Sequence, residues 1–85
     1  MRVAFTPALL RQVKKLNPPL QEEVVEKAEL FINEKNHKML KAHKLKGPLS
    51  GLHSFSVNYK TRIVFEYTGK EEALFHAIGD HDIYK

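Results

Sequence analysis

The side chains in this sequence that can do chemistry are nitrogen bases and cations. There is no cysteine, which removes thiolate nucleophiles, thiolate metal sites and disulfides and fits a reducing cytoplasm. Gly47-Pro48-Leu49-Ser50-Gly51 lacks both the spacing and the following helix of a phosphate-cradling loop. No strand-turn-helix setting exists for a serine nucleophile. Glu71-Glu72 adjoins a turn and reads as solvated, and His81-Asp82 has neither HExxH-like spacing nor a thiolate helper, so neither a metal nor a cofactor is expected. What remains is His43-Lys44-Leu45-Lys46-Gly47, Arg62, and a tail holding His81 and Tyr84. Imidazole moves protons near neutrality, and a guanidinium grips phosphate through a planar, permanently charged fork.

The placement of charge says what such groups would meet. The net charge is +4, yet no carboxylate occurs between Glu34 and Glu66. That window holds Lys35, Lys38, Lys41, Lys44, Lys46, Lys60 and Arg62, together with His37, His43 and His53. A one-signed field of this kind is the footprint of a polyanion partner. The competing reading is a solvated basic face that only aids solubility, but such surfaces normally mix signs.

Eighty-five residues make one domain, 1–85, of ordinary globular composition, 42% hydrophobic and 28% charged. No apolar run approaches the roughly 18 residues that span a bilayer, and the first residues do not read as a signal peptide. Val3–Phe5 reads as a short strand. Thr6-Pro7 then starts a helix whose apolar stripe is Leu9, Leu10, Val13 and Leu16, and Asn17-Pro18-Pro19 stops it. A second helix runs from about Leu20 to Glu34, with Leu20, Val24, Ala28, Phe31 and Ile32 on one stripe. Residues 35–52 read as a lysine-rich linker and loop. Strands follow over His53–Tyr59, Arg62–Tyr67 and Ala73–Ile78, with a hairpin turn at Thr68-Gly69-Lys70-Glu71. The order β-α-α-β-β-β predicts an α+β fold, an antiparallel-rich twisted sheet with a helical hairpin packed on one face. On Arg62–Tyr67, Arg62 has parity opposite to Ile63 and Phe65 and should point away from their face. Phe55, Phe65, Phe75, Tyr59 and Tyr67 are assigned to core and sheet packing, and His76, inside an apolar strand, to a satisfied core histidine.

Three stretches taken together resemble the RelE/ParE superfamily of toxins from toxin–antitoxin systems: His43–Val57 with its Leu-Lys-Gly, Tyr59–Tyr67 with its Arg-Ile-Val-Phe, and Ile78–Tyr84 with its Ile-Gly-Asp-His. With the element order, the resemblance covers essentially the whole chain. It is stronger to the RelE and YafQ branches, which are mRNA interferases cutting codons in the ribosomal A site, than to the ParE branch, which poisons DNA gyrase. It places His43 at the YafQ-type functional histidine, Arg62 at the strand arginine, His81 at the C-terminal histidine or arginine, and Tyr84 at the late aromatic. Two second-strand positions that are charged in relatives read Ser54 and Ser56 here.

The resemblance implies metal-free RNA cleavage, in which the 2′-hydroxyl attacks the adjacent phosphorus and leaves a 2′,3′-cyclic phosphate. That step needs a base, an acid and cations to hold the added phosphate charge. His81 and His43 are the implied acid–base pair, Arg62 the transition-state clamp and Tyr84 a base-stacking ring. Lys41, Lys44, Lys46 and Lys60, with His53 beside them, are the implied contacts to message and ribosomal RNA. Each has a plainer alternative: His81 capping a strand end, His43 in a basic linker, Arg62 paired with Glu66 on its own strand, Tyr84 packing an edge, His53 a surface imidazole. The implied protein partner is a cognate antitoxin, acidic enough to mask the cations. A ParE-like gyrase inhibitor and a non-catalytic RNA-binding module are the competing functions.

Overall fold

The computed structural model describes residues 1–49 and 51–80; His81 and Tyr84 lie outside them. Strand β1 (Arg2–Phe5) leads directly into helix α1 (Pro7–Lys14) through Thr6. The Thr6 hydroxyl accepts from the Leu9 amide at 3.0 Å, and Pro7 occupies the first helical position, where a missing amide costs nothing. Helix α2 (Pro18–Ile32) repeats the device, with Asn17 Oδ1 accepting from the Leu20 amide at 3.0 Å. The prolines read as a stop for the first helix therefore also open the second, two residues earlier than expected. Gln21 Nε2 closes the hairpin by donating to the carbonyls of Val13 and Leu16, both at 3.0 Å.

The sheet contains β2 (His43–Lys44), β3 (His53–Ser56), β4 (Thr61–Gly69) and β5 (Glu72–Asp80), and its order is β1-β5-β4-β3-β2. Strand β1 runs parallel to β5, and the other pairings are antiparallel. The fold is α+β, as expected, with one addition: β2 is a fifth strand inside the stretch read as a loop. Two residues are too few to show an alternation in sequence. Strand β5 outruns β1 beyond Phe75, and side chains from the helix side satisfy its overhang. Thr6 Oγ1 donates to the His76 carbonyl at 2.9 Å, and the Ile78 amide donates to Gln12 Oε1 at 3.0 Å.

The helices cover one face of the sheet, and a single cluster forms between the layers. It contains Leu9, Val24 and Phe31 from the helices, and Phe55, Ile63, Phe65, Phe75 and Ile78 from the sheet. Phe31 is its hub. Its ring stacks on Phe55 at 4.9 Å and meets Phe65 and Phe75 edge-on at 4.8 and 5.2 Å. Tyr59 corrects an expectation, because it is 92% exposed rather than packed in the sheet. Strand β3 stops at Ser56, and Tyr59 stands in the turn that follows. Outside the core, β1 and the two helices leave an apolar groove of about 730 Å³ lined by Phe5, Leu10, Val25, Ala28 and Ile32. Among the described residues no helix is long and apolar enough to cross a membrane.

Phe31→Ala should cost about 3–5 kcal/mol, the usual loss for emptying a buried aromatic site. Urea denaturation followed by circular dichroism measures it, and a loss below about 1 kcal/mol would show that Phe31 is not the hub.

Candidate functional site

Strand β4 divides its side chains between two environments. Ile63 and Phe65 enter the helix-side cluster, so Arg62, Val64 and Glu66 lie on the opposite, helix-free face. Register carries that assignment across the sheet. Arg62 is opposite Ser56 and Gly79, Val64 is opposite Ser54 and Ala77, and Ser54 is in turn opposite His43 on β2. His43 and Arg62 therefore share a face. With strands about 4.8 Å apart and about 3.3 Å per residue, their backbones stand about 12 Å apart on that face. The neighbours of Arg62 in its row are a serine and a glycine, which leave room above the sheet.

Arg62 is braced from beneath by the turn that precedes it. Asn58 Oδ1 accepts from the amides of Lys60 and Thr61, both at 2.9 Å, which fixes the turn. The guanidinium Nη1 donates to the Asn58 carbonyl at 2.8 Å and to the Tyr59 carbonyl at 3.2 Å. Among the described residues these bonds run through one nitrogen, and the Nε–Nη2 edge of the fork makes none. The alternative pairing of Arg62 with Glu66 does not occur. Glu66 Oε1 instead accepts from His76 Nε2 at 2.8 Å. The same turn exposes Tyr59 and Lys60 beside Arg62. A rigidly based, solvent-facing ring next to cations suits base stacking. The assignment of Tyr59 to core and sheet packing passes over this candidate. The Asn58-Tyr59-Lys60 spacing, polar at its ends, was the available signal.

His43 is exposed, and its tautomer follows from its partner. Nδ1 lies 2.8 Å from the Lys41 carbonyl, which can only accept, so Nδ1 carries the proton and Nε2 is the free nitrogen. Lys41 reaches that position through backbone strain. The Lys41 amide donates to the Lys38 carbonyl at 3.1 Å and the Ala42 amide to the His37 carbonyl at 2.9 Å, a Schellman closure of the turn before β2. Lys41 holds the left-handed position of that closure at φ 59°, where glycine is usual.

The remaining cations divide. Lys41, Lys46 and Lys60 are exposed on the loops around this face. Lys44 and His53 are opposite each other in register and share the parity of Phe55 and Phe65, so they sit on the helix side, away from His43 and Arg62. His53 stacks on Phe65 at 5.4 Å and meets Tyr67 edge-on at 4.8 Å. Burial, then the Lys44 ammonium, then His43, hold its imidazole below the ordinary 6.5. Its lowered basicity favours the neutral ring, and it packs against Phe65 and Tyr67 on the helix side rather than among the exposed lysines. Tyr67 is pushed up, first by burial and then by the Glu34 carboxylate. His76 is half-exposed and paired to Glu66 rather than buried in the core. Ser54 Oγ is buried with no hydrogen-bond partner among the described residues. Among the same residues no cluster of three His, Asp or Glu could hold a metal ion.

No family model matches the sequence, and no curated protein is significantly similar to it. Solved structures are. The RelBE2 toxin–antitoxin complex of Mycobacterium tuberculosis contains a chain that superposes with a TM-score of 0.74 at 21% identity, over 94% of this chain and 96% of that one. YafQ from Escherichia coli BL21(DE3) gives 0.76 at 15% identity, over 95% and 94%. The archaeal RelE–RelB complex of Pyrococcus horikoshii OT3 gives 0.75 at 14%, over 96% of each chain. The chain thus has the fold of the RelE, YafQ and YoeB toxins across its full described length.

Two outcomes follow from the geometry. Lys41→Gly should raise stability by about 0.5–1 kcal/mol, because relief of a left-handed side chain, about 1–2 kcal/mol, exceeds the freedom glycine adds to the unfolded chain, about 0.5–1 kcal/mol. A urea midpoint that falls instead would mean the lysine side chain itself holds the turn. For His53, the unfolded chain takes up a proton below pH 6.5 that the native state resists, so its stabilising share is complete above that pH and is lost as pH falls. His53→Phe, which keeps a ring against Phe65, should flatten the stability profile between pH 7 and the acid limb; an unchanged slope in urea titrations would contradict the assignment.

Proposed function

We propose that this chain, sharing the fold of the RelE, YafQ and YoeB toxins, is itself the toxin of a toxin–antitoxin pair and a metal-independent endoribonuclease acting on message at the ribosomal A site in the cytoplasm. The observation that carries the reading is the placement of His43, whose Nε2 has no hydrogen-bond partner among the described residues, on the same helix-free sheet face as the braced Arg62. A phosphate between them meets a proton-transfer group on one side and a charged fork on the other.

The chemistry needs nothing further from outside the chain. A base removes the 2′-hydroxyl proton, the 2′ oxygen bonds to phosphorus, the bond to the 5′ oxygen breaks, and an acid supplies the proton that the departing oxygen takes. His43 Nε2 suits the first proton transfer, and His81 in the tail is proposed for the second. Arg62 holds the charge that collects on the phosphorane oxygens. Tyr84 and the exposed Tyr59 are proposed to stack on bases, and Lys41, Lys46 and Lys60 to hold message or ribosomal RNA backbone with salt-dependent affinity. The antitoxin would be acidic where it masks these cations. The apolar groove across β1 and the helices is the kind of exposed patch that a protein partner covers.

Expression should arrest growth, and cleaved message should carry 2′,3′-cyclic phosphate ends that require ribosomes in a translating extract. Arg62→Ala and His43→Gln should each slow cleavage by about 10²–10⁴-fold, the range for removing one proton-transfer or charge-stabilising group. Arrest with intact message and DNA damage signalling would point to a gyrase inhibitor. RNA binding with a salt slope and no shortening would point to a non-catalytic module. A doubly substituted chain that cleaves as fast as the wild type would remove the assigned chemistry.

A further inference from the structure

The Glu66–His76 pair has no task in the cleavage reaction, yet the fold builds it with some care. Strand β5 carries an extra residue at this point. Val64 is opposite Ala77 and Phe65 is opposite Phe75, so His76 stands unpaired in the ladder as a bulge. The bulge turns His76 onto the helix-free face and brings Nε2 to 2.8 Å from Glu66 Oε1. A carboxylate only accepts, so Nε2 donates. Both side chains remain accessible, at 35% and 39%. Thr6 holds the bulge from behind, through the hydroxyl bond to the His76 carbonyl. Glu66 is thus oriented through one oxygen while its other lone pairs face solvent.

Its position makes that orientation informative. Glu66 lies on the same strand and face as Arg62, about 13 Å along β4, with Val64 between them. It is also the carboxylate that ends the acid-free window. A negative group beside phosphate-binding cations repels a bare nucleic-acid backbone. It helps binding only where it meets hydrogen-bond donors, which in RNA are the ribose 2′-hydroxyls and the base edges, and only the base edges differ from one nucleotide to the next. Guanine alone among the four RNA bases presents two adjacent donors, N1–H and the exocyclic amine, on its Watson–Crick edge, and a carboxylate accepts both.

We propose that Glu66, aimed by His76, reads a guanine in single-stranded RNA lying along the helix-free face next to the phosphate held by Arg62. The proposal rests on the RNA reading of that face and deepens it to base preference. Glu66 is the reading group, and His76 is a positioning residue that acts through it.

Fluorescence anisotropy on short single-stranded RNAs differing at one position tests this without requiring cleavage. The probes carry guanosine, inosine (which lacks the exocyclic amine) or adenosine. The wild-type chain should bind the guanosine RNA about tenfold more tightly than the other two. Glu66→Gln should erase the preference. His76→Ala should reduce it, and His76→Gln, whose amide can still donate to Glu66, should restore it. Circular dichroism melts confirm that each variant is folded. Equal binding of the three RNAs by the wild type, or a folded Glu66→Gln chain that still prefers guanosine, overturns the proposal and leaves an ordinary surface ion pair. A guanosine preference without any cleavage would count against the nuclease reading alone, and no RNA binding at all would overturn both.

Discussion

Strand β4 puts Ile63 and Phe65 against the helices and, by the two-residue pleat, Arg62 and Glu66 on the far side. A slip of one residue would turn Phe65 out and drive a guanidinium and a carboxylate in among the other three phenylalanines, each losing water with no partner inside. The register that buries the aromatic cluster is therefore the register that assembles the site. Phe31, Phe55, Phe65 and Phe75 supply the energy, and the charged groups are carried to their positions by it. In a domain this small one core serves both ends, so positions that never touch a ligand still govern where the ligand groups stand.

The site itself spends stability rather than adding it. Lys41 holds a left-handed backbone conformation where glycine would be relaxed, and the result is a carbonyl aimed at His43 Nδ1. Ser54 Oγ, beside His43 in register, is buried with no hydrogen-bond partner among the described residues. The bulge at His76 interrupts the longest ladder in the sheet. These departures gather on or beside the helix-free face, whereas the helix-side layer follows local preference throughout, with both helices capped by Thr6 and Asn17 and opened by proline.

Much of this was legible in the residues and some was not, for physical reasons. The caps, the proline turn and the strand alternations are local signals, so the α+β order and the outward parity of Arg62 could be read directly. The parallel docking of β1 on β5 is a contact across seventy residues of chain and leaves no local mark. Strand β2 is too short for any period. The bulge at His76 shifts parity within β5, which is why Phe75 and Ile78 both enter the core although they are three residues apart, and why His76 emerges beside Glu66 instead of packing. Tyr59 was misjudged because an aromatic near a strand is usually buried, and only the early end of β3 exposes it. Lys44 falls on the other face from His43 because successive residues of a regular strand alternate, and His53, its partner in register, falls there with it.

The distribution of charge follows from the same two-sidedness. Cations that face one another without carboxylates between them repel, and folding alone offers no compensation for holding them together. Here the repulsion is tempered by splitting the set: Lys44 goes to the helix side beside a His53 of lowered basicity, while Arg62 is tied by its Nη1 to turn carbonyls. Glu66, the carboxylate of β4, is engaged by His76 rather than by Arg62, so it does not quench the guanidinium that lies on its own strand. An ion pair between Arg62 and Glu66 would have been the simplest way to stabilise β4 in isolation. Its absence leaves the guanidinium without a carboxylate partner among the described residues, held instead by turn carbonyls, an arrangement to which an arriving anion would add charge-assisted bonds.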